Sequence, residues 1–357
     1  MATDNDNTKD VRSPSLDLES TAFRPPSSRI LRALSNFSSQ WFLIPQGTGI
    51  IAVILHQLDY RFRGLSIISV IIWIYTIALL LASVFLYLLR IYMYPKHVAR
   101  ALRSNIVETA CLASISITFT TIIQMTALVL VPLWGSAWGV VAYVLWWINT
   151  AMAVIAVMGI PYVFVKVQPP GINAVTPVVL LPLISALTSA AGGGVICRYG
   201  ELSDRLQVPV IIVSYLEVGL GLALAMTFND VFVTRLFDRS FPPLEQIYQD
   251  MILCGPFGQG SFALQILGQV VSRGAFAGYD RGTLLTAEAA IPIAFVSQLA
   301  GLLAWGYATF WWVFATISII HTFISQPGGI RNSHFTMSAW ALVFPMVGAQ
   351  NSGSWTI

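Results

Sequence analysis

The sequence predicts an all-α polytopic membrane protein, and three observations support that prediction. Of its 357 residues, 56% are hydrophobic and only 10% are charged, and the mean hydropathy is +0.73. Soluble domains carry about 25% charged residues, so this chain has too few charges to cover a surface exposed to water. Its apolar residues are also grouped in runs of about 20, the length that a helix needs to cross a bilayer. Lipid is therefore the expected solvent for most of the chain.

Nine apolar runs are predicted to cross the membrane as helices, each bounded by charged or loop-forming residues. The ninth run is shorter than the others and gives way to polar sequence. The predicted spans are Trp41–Leu58, Leu65–Leu89, Thr109–Leu133, Trp138–Val165, Val175–Cys197, Val208–Phe228, Met251–Val271, Ala289–Ile324 and Phe335–Gly348.

The chain is predicted to have three parts. Residues 1–36 are polar, and we expect them to form a disordered cytosolic N-terminal tail. Residues 37–348 are predicted to form the transmembrane domain, and residues 349–357 a short polar C-terminal tail. If the N-terminus is cytosolic, thirteen of the 19 Lys and Arg residues fall in inside segments and six in outside loops. This excess favours a cytosolic N-terminus.

Proline is distributed differently in odd- and even-numbered spans. Proline lacks a backbone N–H and kinks a helix, and freed carbonyls in lipid need partners from protein or from a water-filled cavity. Odd spans are therefore predicted to form an inner layer around a pore and even spans a lipid-facing layer. Kinked helices packed without a pore fit the pattern equally well. Odd spans carry Pro45, Pro177, Pro182, Pro256 and Pro345 in their interior, and even spans carry Pro161, Pro209 and Pro292 at their ends.

Small residues in the odd spans have two interpretations. They let neighbouring helices approach closely, or they break a helix so that its backbone N–H groups face an anion. Close packing is the favoured interpretation for Gly47, Gly49, Gly258 and Gly260, and pore lining is the alternative.

Ionisable and metal-ligating residues are few within the predicted spans. Glu217 in the sixth span is a candidate for proton or ion coupling, because a carboxylate inside a membrane is costly and often functional. A carboxylate that pairs with a neighbouring helix fits equally well. Cys111, Cys197 and Cys254 lack metal-binding spacing, so neither a metal nor a cofactor is predicted. Without an HExxH or GxSG motif an enzyme is not predicted, and the net charge of +3 does not indicate nucleic-acid binding.

Four segments, in this order and spacing, resemble one family of anion transporters. They are WF…GTG at residues 41–49, VPLWGSAW…VLWWIN at 131–149, GPFGQGSFALQILG at 255–268 and W…FP at 340–345. Together they resemble the tellurite-resistance/dicarboxylate transporter family. It includes bacterial tellurite-resistance proteins, plant guard-cell slow anion channels, yeast malate permeases and fungal sulfite-efflux proteins. The segments VLWWIN and GPFGQG are most similar to the sulfite-efflux group.

This resemblance implies ten helices in five hairpins, with the odd helices around a central pore and a homotrimer with one pore per subunit. It also implies that the phenylalanine before the ninth-helix proline, here Phe344, plugs the pore. The sequence differs from the family pattern at Gln46 and Asn149. It also stops at Ile357 without a tenth span, so about nine helices are visible and a truncated member of the family is expected.

The predicted function is transport of small anions, most concretely sulfite or bisulfite efflux across the plasma membrane. A C4-dicarboxylate (malate) permease and a non-transporting truncated subunit are the alternatives, and chloride is a further candidate anion. Hydroxyl groups and backbone dipoles, rather than a tight site, are expected to meet the anion. The pore-lining or helix-kink candidates are Gly47, Thr48, Gly49, Thr120, Thr121, Pro182, Pro256, Gly258, Gly260 and Pro345, with Phe344 as the gate.

Overall fold

A computed structural model describes the chain over residues 28–58, 60, 62–168, 176–239, 247–279, 281–325 and 337–344. Residues 1–27 of the predicted tail at 1–36, the whole predicted tail at 349–357 and Pro345 lie outside these ranges. The described remainder of the first tail contains the helix Arg29–Ser35. The chain divides into two compact units, Met1–Asn36 and Phe37–Ile357, and the second unit contains the predicted spans. In the described ranges the regular structure is helical, and β-pairing is confined to one bridge between Arg281 and Leu285.

The α-helices of the described ranges are numbered in chain order. They are α1 Arg29–Ser35, α2 Leu43–Gln57, α3 Leu65–Met93, α4 Pro95–Ser104, α5 Ile106–Ala110, α6 Ser114–Met125, α7 Val131–Trp134, α8 Ala137–Lys166, α9 Leu181–Tyr199, α10 Asp204–Arg239, α11 Gly255–Ser272 and α12 Ala287–Ser325. A π-helix at Thr126–Leu130 joins α6 to α7, so that Ile106–Trp134 is one nearly continuous span.

The prediction of a polytopic helical membrane protein is confirmed. Among the described residues, six helical segments are long and apolar enough to cross a membrane, or seven when Arg29–Ser35 and Ser39–Gln57 are counted together. The helix α11 is not among them, although it lies in the predicted seventh span, because Gln259, Gln265 and Gln269 lower its hydropathy. A span this polar needs protein rather than lipid around it, and most of the residues of α11 are buried.

The helices form an inner and an outer layer, a point that the proline pattern of the sequence left open. In the span that contains α9, every residue of the most apolar 18-residue stretch is buried. In α3 and α12 only 28% and 22% of the residues of the corresponding stretch are buried. Each inner helix packs against the next one along the chain, from α2 through α6 and α9 to α11. The segment Met337–Leu342 contacts both α2 and the residues just before α11. It therefore closes the inner helices into a ring of five segments.

The outer helices pair with the inner ones as hairpins. The pairs α2–α3, α9–α10 and α11–α12 are in extensive contact, and α8 packs against both α6 and α9. Their outward faces carry exposed apolar side chains such as Ile71 and Leu303, which are 60% and 69% exposed. Such a face is stable in lipid, where apolar exposure has no cost.

Three consecutive glycines in the middle of α9 allow its close packing. A methyl group added at Gly192 would overlap Thr120 of α6. A methyl group at Gly193 would overlap Ser214 of α10, and one at Gly194 would overlap Ile266 of α11. Each glycine thus faces a different neighbour, which is the close approach that small residues permit between membrane helices.

Among the described residues, the prolines of the odd spans lie in the first turn of a helix, so the expectation that they kink helix interiors was wrong for them. Short 3-10 segments precede the inner helices, and Pro182 and Pro256 lie in the first turn of the α-helix that follows. A proline in the first turn leaves no intrahelical hydrogen bond unmade. The prolines that do lie inside helices belong to the outer layer, namely Pro161, Pro209 and Pro292.

A buried ion pair joins three elements at the end of the molecule where the inner helices begin. Arg90 at the end of α3 donates to the carboxylate of Glu108 in α5, and both side chains are almost fully buried. The same carboxylate accepts from the backbone N–H of Ser39 at 3.1 Å and from the hydroxyl of Tyr87 at 3.3 Å. The pair therefore holds the start of the first inner segment against the start of the third span.

We expect replacement of Glu108 to destabilise the fold. Glu108→Ala leaves the Arg90 guanidinium buried and unpaired, which costs about 3–5 kcal/mol of unfolding free energy. Thermal unfolding of the purified protein in detergent measures this loss. Arg100→Ala, at an exposed position of α4, is the control and changes stability by less than about 0.5 kcal/mol. The double variant Arg90→Met/Glu108→Ala regains most of the loss, and equal stability of Glu108→Ala and the parent would contradict the role of the pair.

Candidate anion pathway

The inner ring has a repeated feature at the end where its helices begin. Each of the five inner segments has a stretch of 3-10 geometry at or near its start, and in the third segment the helix α5 precedes it. In four of the segments a numbered α-helix follows directly. We call these the starting segments: Ser39–Phe42, Cys111–Ala113, Pro177–Leu180, Ile247–Cys254 and Met337–Leu342. Sequence analysis missed this repeat because the apolar runs continue without interruption through the change of geometry.

Phe344 lies at the level of the starting segments. Its side chain is 2% exposed and belongs to one apolar cluster with Leu43, Ala113, Leu180 and Cys254. Each of these four residues lies where a 3-10 segment changes into an α-helix. Met337–Leu342, which leads directly into Phe344, contacts the starting segments of the first and seventh spans. A bulky aromatic ring is therefore packed in the apolar cluster that includes residues of the starting segments.

Positive potential is expected at this end of the ring. The helices α2, α6, α9 and α11 run parallel, since one outer crossing separates each from the next, and their N-termini all lie here. Helix N-termini carry partial positive charge and unpaired N–H groups, which stabilise anions. No Lys or Arg occurs in the sequence of α2, α6 or α11 or in α9 before Arg198. The partial positive charges of the helix N-termini are thus the source of positive potential that these helices offer to an anion.

Basic side chains lie near the same end, on α4. Lys96, Arg100 and Arg103 are exposed there, and Val98 is buried. Partial burial and the charges of Arg90 and Arg100 lower the pKa of His97 below its usual value, so this imidazole is neutral at physiological pH. A surface of positive charge raises the local concentration of anions.

The hydroxyls of the three candidate threonines donate hydrogen bonds to backbone carbonyls of the protein. Thr120 donates to the carbonyl of Ser116 at 3.0 Å, and Thr121 donates to the carbonyl of Thr118 at 2.7 Å. Thr48 donates to the carbonyl of Pro45 at 3.2 Å and accepts from Thr76 of the outer helix α3. In these rotamers the hydroxyls offer an anion no proton, and their pore-lining role stays a prediction.

The candidate glycines mostly meet neighbouring side chains. A methyl group at Gly49 would overlap Thr121, and one at Gly260 would come within 2.6 Å of Leu222 in α10. A methyl group at Gly47 would lie 3.0 Å from Trp340, beside Phe344 in the fifth inner segment, and Gly258 is buried in α11. The contacts at Gly49 and Gly260 favour the packing interpretation.

Glu217 lies on α10 facing the inner layer, with 2% of its surface exposed. The hydroxyls of Thr150 and Ser189 are close to its carboxylate, yet neither carboxylate oxygen has a partner in hydrogen-bond geometry within the described part of the chain. Thr150 and Ser189 instead bond to each other at 3.0 Å. Glu217 is therefore a buried carboxylate that forms no ion pair with any residue the structure describes.

The hydroxyl pair beside Glu217 belongs to a polar network that links α6, α8 and α9. Asn149 accepts from Ser116 at 3.0 Å and donates to Thr120 at 2.7 Å, and the indole of Trp146 donates to the carbonyl of Ser189 at 2.9 Å. The polar face of α8 thus turns inward at Trp146, Asn149 and Thr150. The partners of Asn149 lie in distant parts of the sequence, so no local sequence signal identifies them.

The chain belongs to the voltage-dependent anion channel family. Residues 36–354 match this family, which covers the whole ring and both layers. This confirms the resemblance to the transporter family that the four sequence segments indicate.

Several curated members of the family transport anions. The chain is 29% identical to the sulfite efflux pump SSU1 of Arthroderma benhamiae, over 88% of this chain and 80% of that protein. It is 21% identical to the sulfite efflux pump SSU1 of Saccharomyces cerevisiae, over 89% of this chain and 78% of that protein. It is 23% identical to the malic acid transport protein of Schizosaccharomyces pombe, over 92% of this chain and 72% of that protein.

A methyl group at Gly49 is expected to destabilise the protein. In Gly49→Ala the new group overlaps the β-branched side chain of Thr121, whose rotamer is restricted, and overpacking of this kind costs about 1–3 kcal/mol. The double variant Gly49→Ala/Thr121→Ala removes the overlap and recovers stability. Thermal unfolding in detergent measures both.

Gly159→Ala is the matched control, since nothing lies within 4 Å of a methyl group at that position of α8. This change is neutral or stabilising by up to about 1 kcal/mol, because alanine favours helix more than glycine does. If Gly49→Ala behaves like Gly159→Ala, Gly49 faces open space and the pore-lining interpretation holds.

Proposed function

We propose that this protein exports small anions, most concretely sulfite or bisulfite, along the axis of its inner ring. The observation that carries the proposal is the closed ring of five segments, whose helix N-termini and buried Phe344 lie at one end. The match to sulfite efflux pumps over 88% of the chain supports sulfite as the anion.

The proposed mechanism uses weak interactions. Anions gather at the end with the basic α4 and the N-termini of the inner helices, where backbone dipoles replace part of their hydration. Phe344 occludes the path until it moves aside. Since no Lys or Arg occurs in the sequence of α2, α6 or α11, an anion is not trapped, and weak binding permits fast passage.

Malate is the second candidate substrate because malic acid transport proteins are also relatives of this chain. A C4 dianion carries two carboxylates, each of which gains from a bidentate cation such as arginine. The sequence of α2, α6 and α11 holds no such cation, which favours the smaller anion. Chloride and a non-transporting subunit are the remaining alternatives.

The proposed setting is the plasma membrane with a cytosolic N-terminus. The excess of Lys and Arg in the inside segments supports this orientation. It puts the starting segments and α4 on the cytosolic side, where an exported anion enters. The proposed assembly is a homotrimer with one pathway per subunit, by analogy with the family.

We expect Phe344→Ala to increase sulfite flux. Removal of the ring opens the path at the level of the starting segments, and a rise of about tenfold corresponds to a barrier lowered by about 1.4 kcal/mol. Proteoliposomes loaded with sulfite, with the parent protein and Phe344→Ala compared at equal reconstitution, measure the rate.

Phe310→Ala serves as the control, since Phe310 is 57% exposed on the lipid-facing helix α12. This variant keeps the parental rate. Excess malate on the loaded side separates the two substrates, because it slows sulfite efflux only if both anions share the path. Absence of sulfite flux from both the parent and Phe344→Ala would refute the proposal.

Glu217 is the proposed group for proton coupling. Glu217→Gln keeps the shape of the side chain but cannot exchange a proton, so a coupled carrier loses the acceleration that an imposed pH gradient gives to sulfite efflux. A passive channel shows no such acceleration in either protein. Flux with and without a pH gradient, measured for the parent and the variant, decides between them. If the parent responds to the gradient and Glu217→Gln responds equally, Glu217 does not carry the proton.

A further inference from the structure

A polar cavity lies at the opposite end of the ring from Phe344. Its volume is about 210 Å³, and it is bounded by the ends of α9 and α11 and by the start of α10. Two guanidinium-bearing residues line it, Arg198 in the last turn of α9 and Arg273 just after α11. Asp204 and Gln207 of α10 complete its polar lining. Neither the proposed gate nor the polar network of Glu217 uses this cavity.

Arg198 has an unmet hydrogen bond at this cavity. Its guanidinium carbon lies 5.2 Å from the centre of the Tyr199 ring, which holds the group in place by cation–π attraction. Its Nε atom is buried and has no hydrogen-bond partner in the described part of the chain. A buried donor without an acceptor is costly. Arg198 therefore keeps hydrogen-bonding capacity that the described part of the chain does not satisfy.

The charges around the cavity leave it positive. Asp204 is the one carboxylate among the lining residues, and its Oδ2 atom lies 3.0 Å from the position of a methyl group on Gly278, so it borders the loop after α11. In the described ranges the one ion pair within 4 Å joins Arg90 and Glu108, so neither cavity arginine is paired with Asp204. Two cations and one anion give the lining a net positive charge.

A simpler role exists for both arginines. Cations near helix C-termini offset the negative end of the macrodipole, and both residues lie at such ends. That role requires only charge, however, and an exposed side chain performs it as well as a buried one. It explains neither a cavity of about 210 Å³ nor the buried, unpartnered Nε of Arg198.

We infer that Arg198 and Arg273 form a binding site for a small oxyanion at the far mouth of the ring. Two guanidinium groups suit a ligand with at least two acceptor oxygens, such as sulfite or sulfate, better than chloride. The inference deepens the proposed function and rests on it for the role of the site, which is to receive the anion as it leaves the ring. Binding itself is independent of transport.

The test measures anion binding without transport. Purified full-length protein in detergent is titrated with sulfite, sulfate and chloride at constant ionic strength, and the shift in unfolding temperature gives the affinity. The variants are Arg273→Gln, at an exposed position that the fold tolerates, and Arg198→Gln. The matched control is Arg281→Gln, an exposed arginine between α11 and α12 that stacks 5.2 Å from Tyr279 and does not line the cavity.

We expect the oxyanions to bind more tightly than chloride, and each cavity variant to weaken oxyanion binding at least tenfold. Arg281→Gln leaves the affinity unchanged although it removes the same charge. Equal affinities in the parent and both cavity variants, or a loss of similar size in Arg281→Gln, would overturn the site. If Arg198→Gln does not fold, Arg273→Gln alone decides.

Flux in proteoliposomes keeps this inference separate from the proposed function. Arginine-dependent binding in a protein that does not pass sulfite would leave the site in place and refute the transport proposal. Sulfite flux with no oxyanion binding in detergent would refute the site and leave the transport proposal in place.

Discussion

The close approach of helices around α9 is the constraint on which the rest of this structure depends. Gly192, Gly193 and Gly194 face α6, α10 and α11 in turn, so a single buried helix is in contact with several others at once. Such packing replaces the hydrophobic effect, which does not drive association between helices in lipid. It also removes the inner layer from lipid, and therefore α11 tolerates three glutamines at a depth where lipid would exclude them.

The parallel orientation of the inner helices gives the two ends of the ring different electrostatic potentials. Parallel inner helices put their positive N-termini at one end and their negative C-termini at the other. The first end has Phe344 in its apolar cluster and exposed basic residues on α4, whereas the second has Arg198 and Arg273 around a cavity. An anion path with this polarity needs no cation along its middle, and the inner helices carry none there.

Sequence reasoning located the helices well and the hydrogen bonds poorly. The predicted bounds of α3, α8 and α12 agree with the structure to within a few residues, because each apolar run is bounded in the sequence by charged or loop-forming residues. The prolines were misjudged, since a run of apolar letters looks the same in 3-10 and α geometry. The ion pair of Arg90 with Glu108 was also missed, because the two side chains meet only when separate spans pack together.

The sequence by itself determined that this chain lies in lipid and that it belongs with anion transporters. Composition and run length carry the first property, and motif order carries the second. The division of the spans into inner and outer layers was left open by the sequence and follows from the burial of the helices. Only the tertiary structure decided that Met337–Leu342 closes the ring, that the hydroxyls of Thr48, Thr120 and Thr121 are already engaged and that Arg198 faces a cavity. These depend on side chains far apart in sequence, whose proximity is set by helix packing and leaves no periodic trace in the chain.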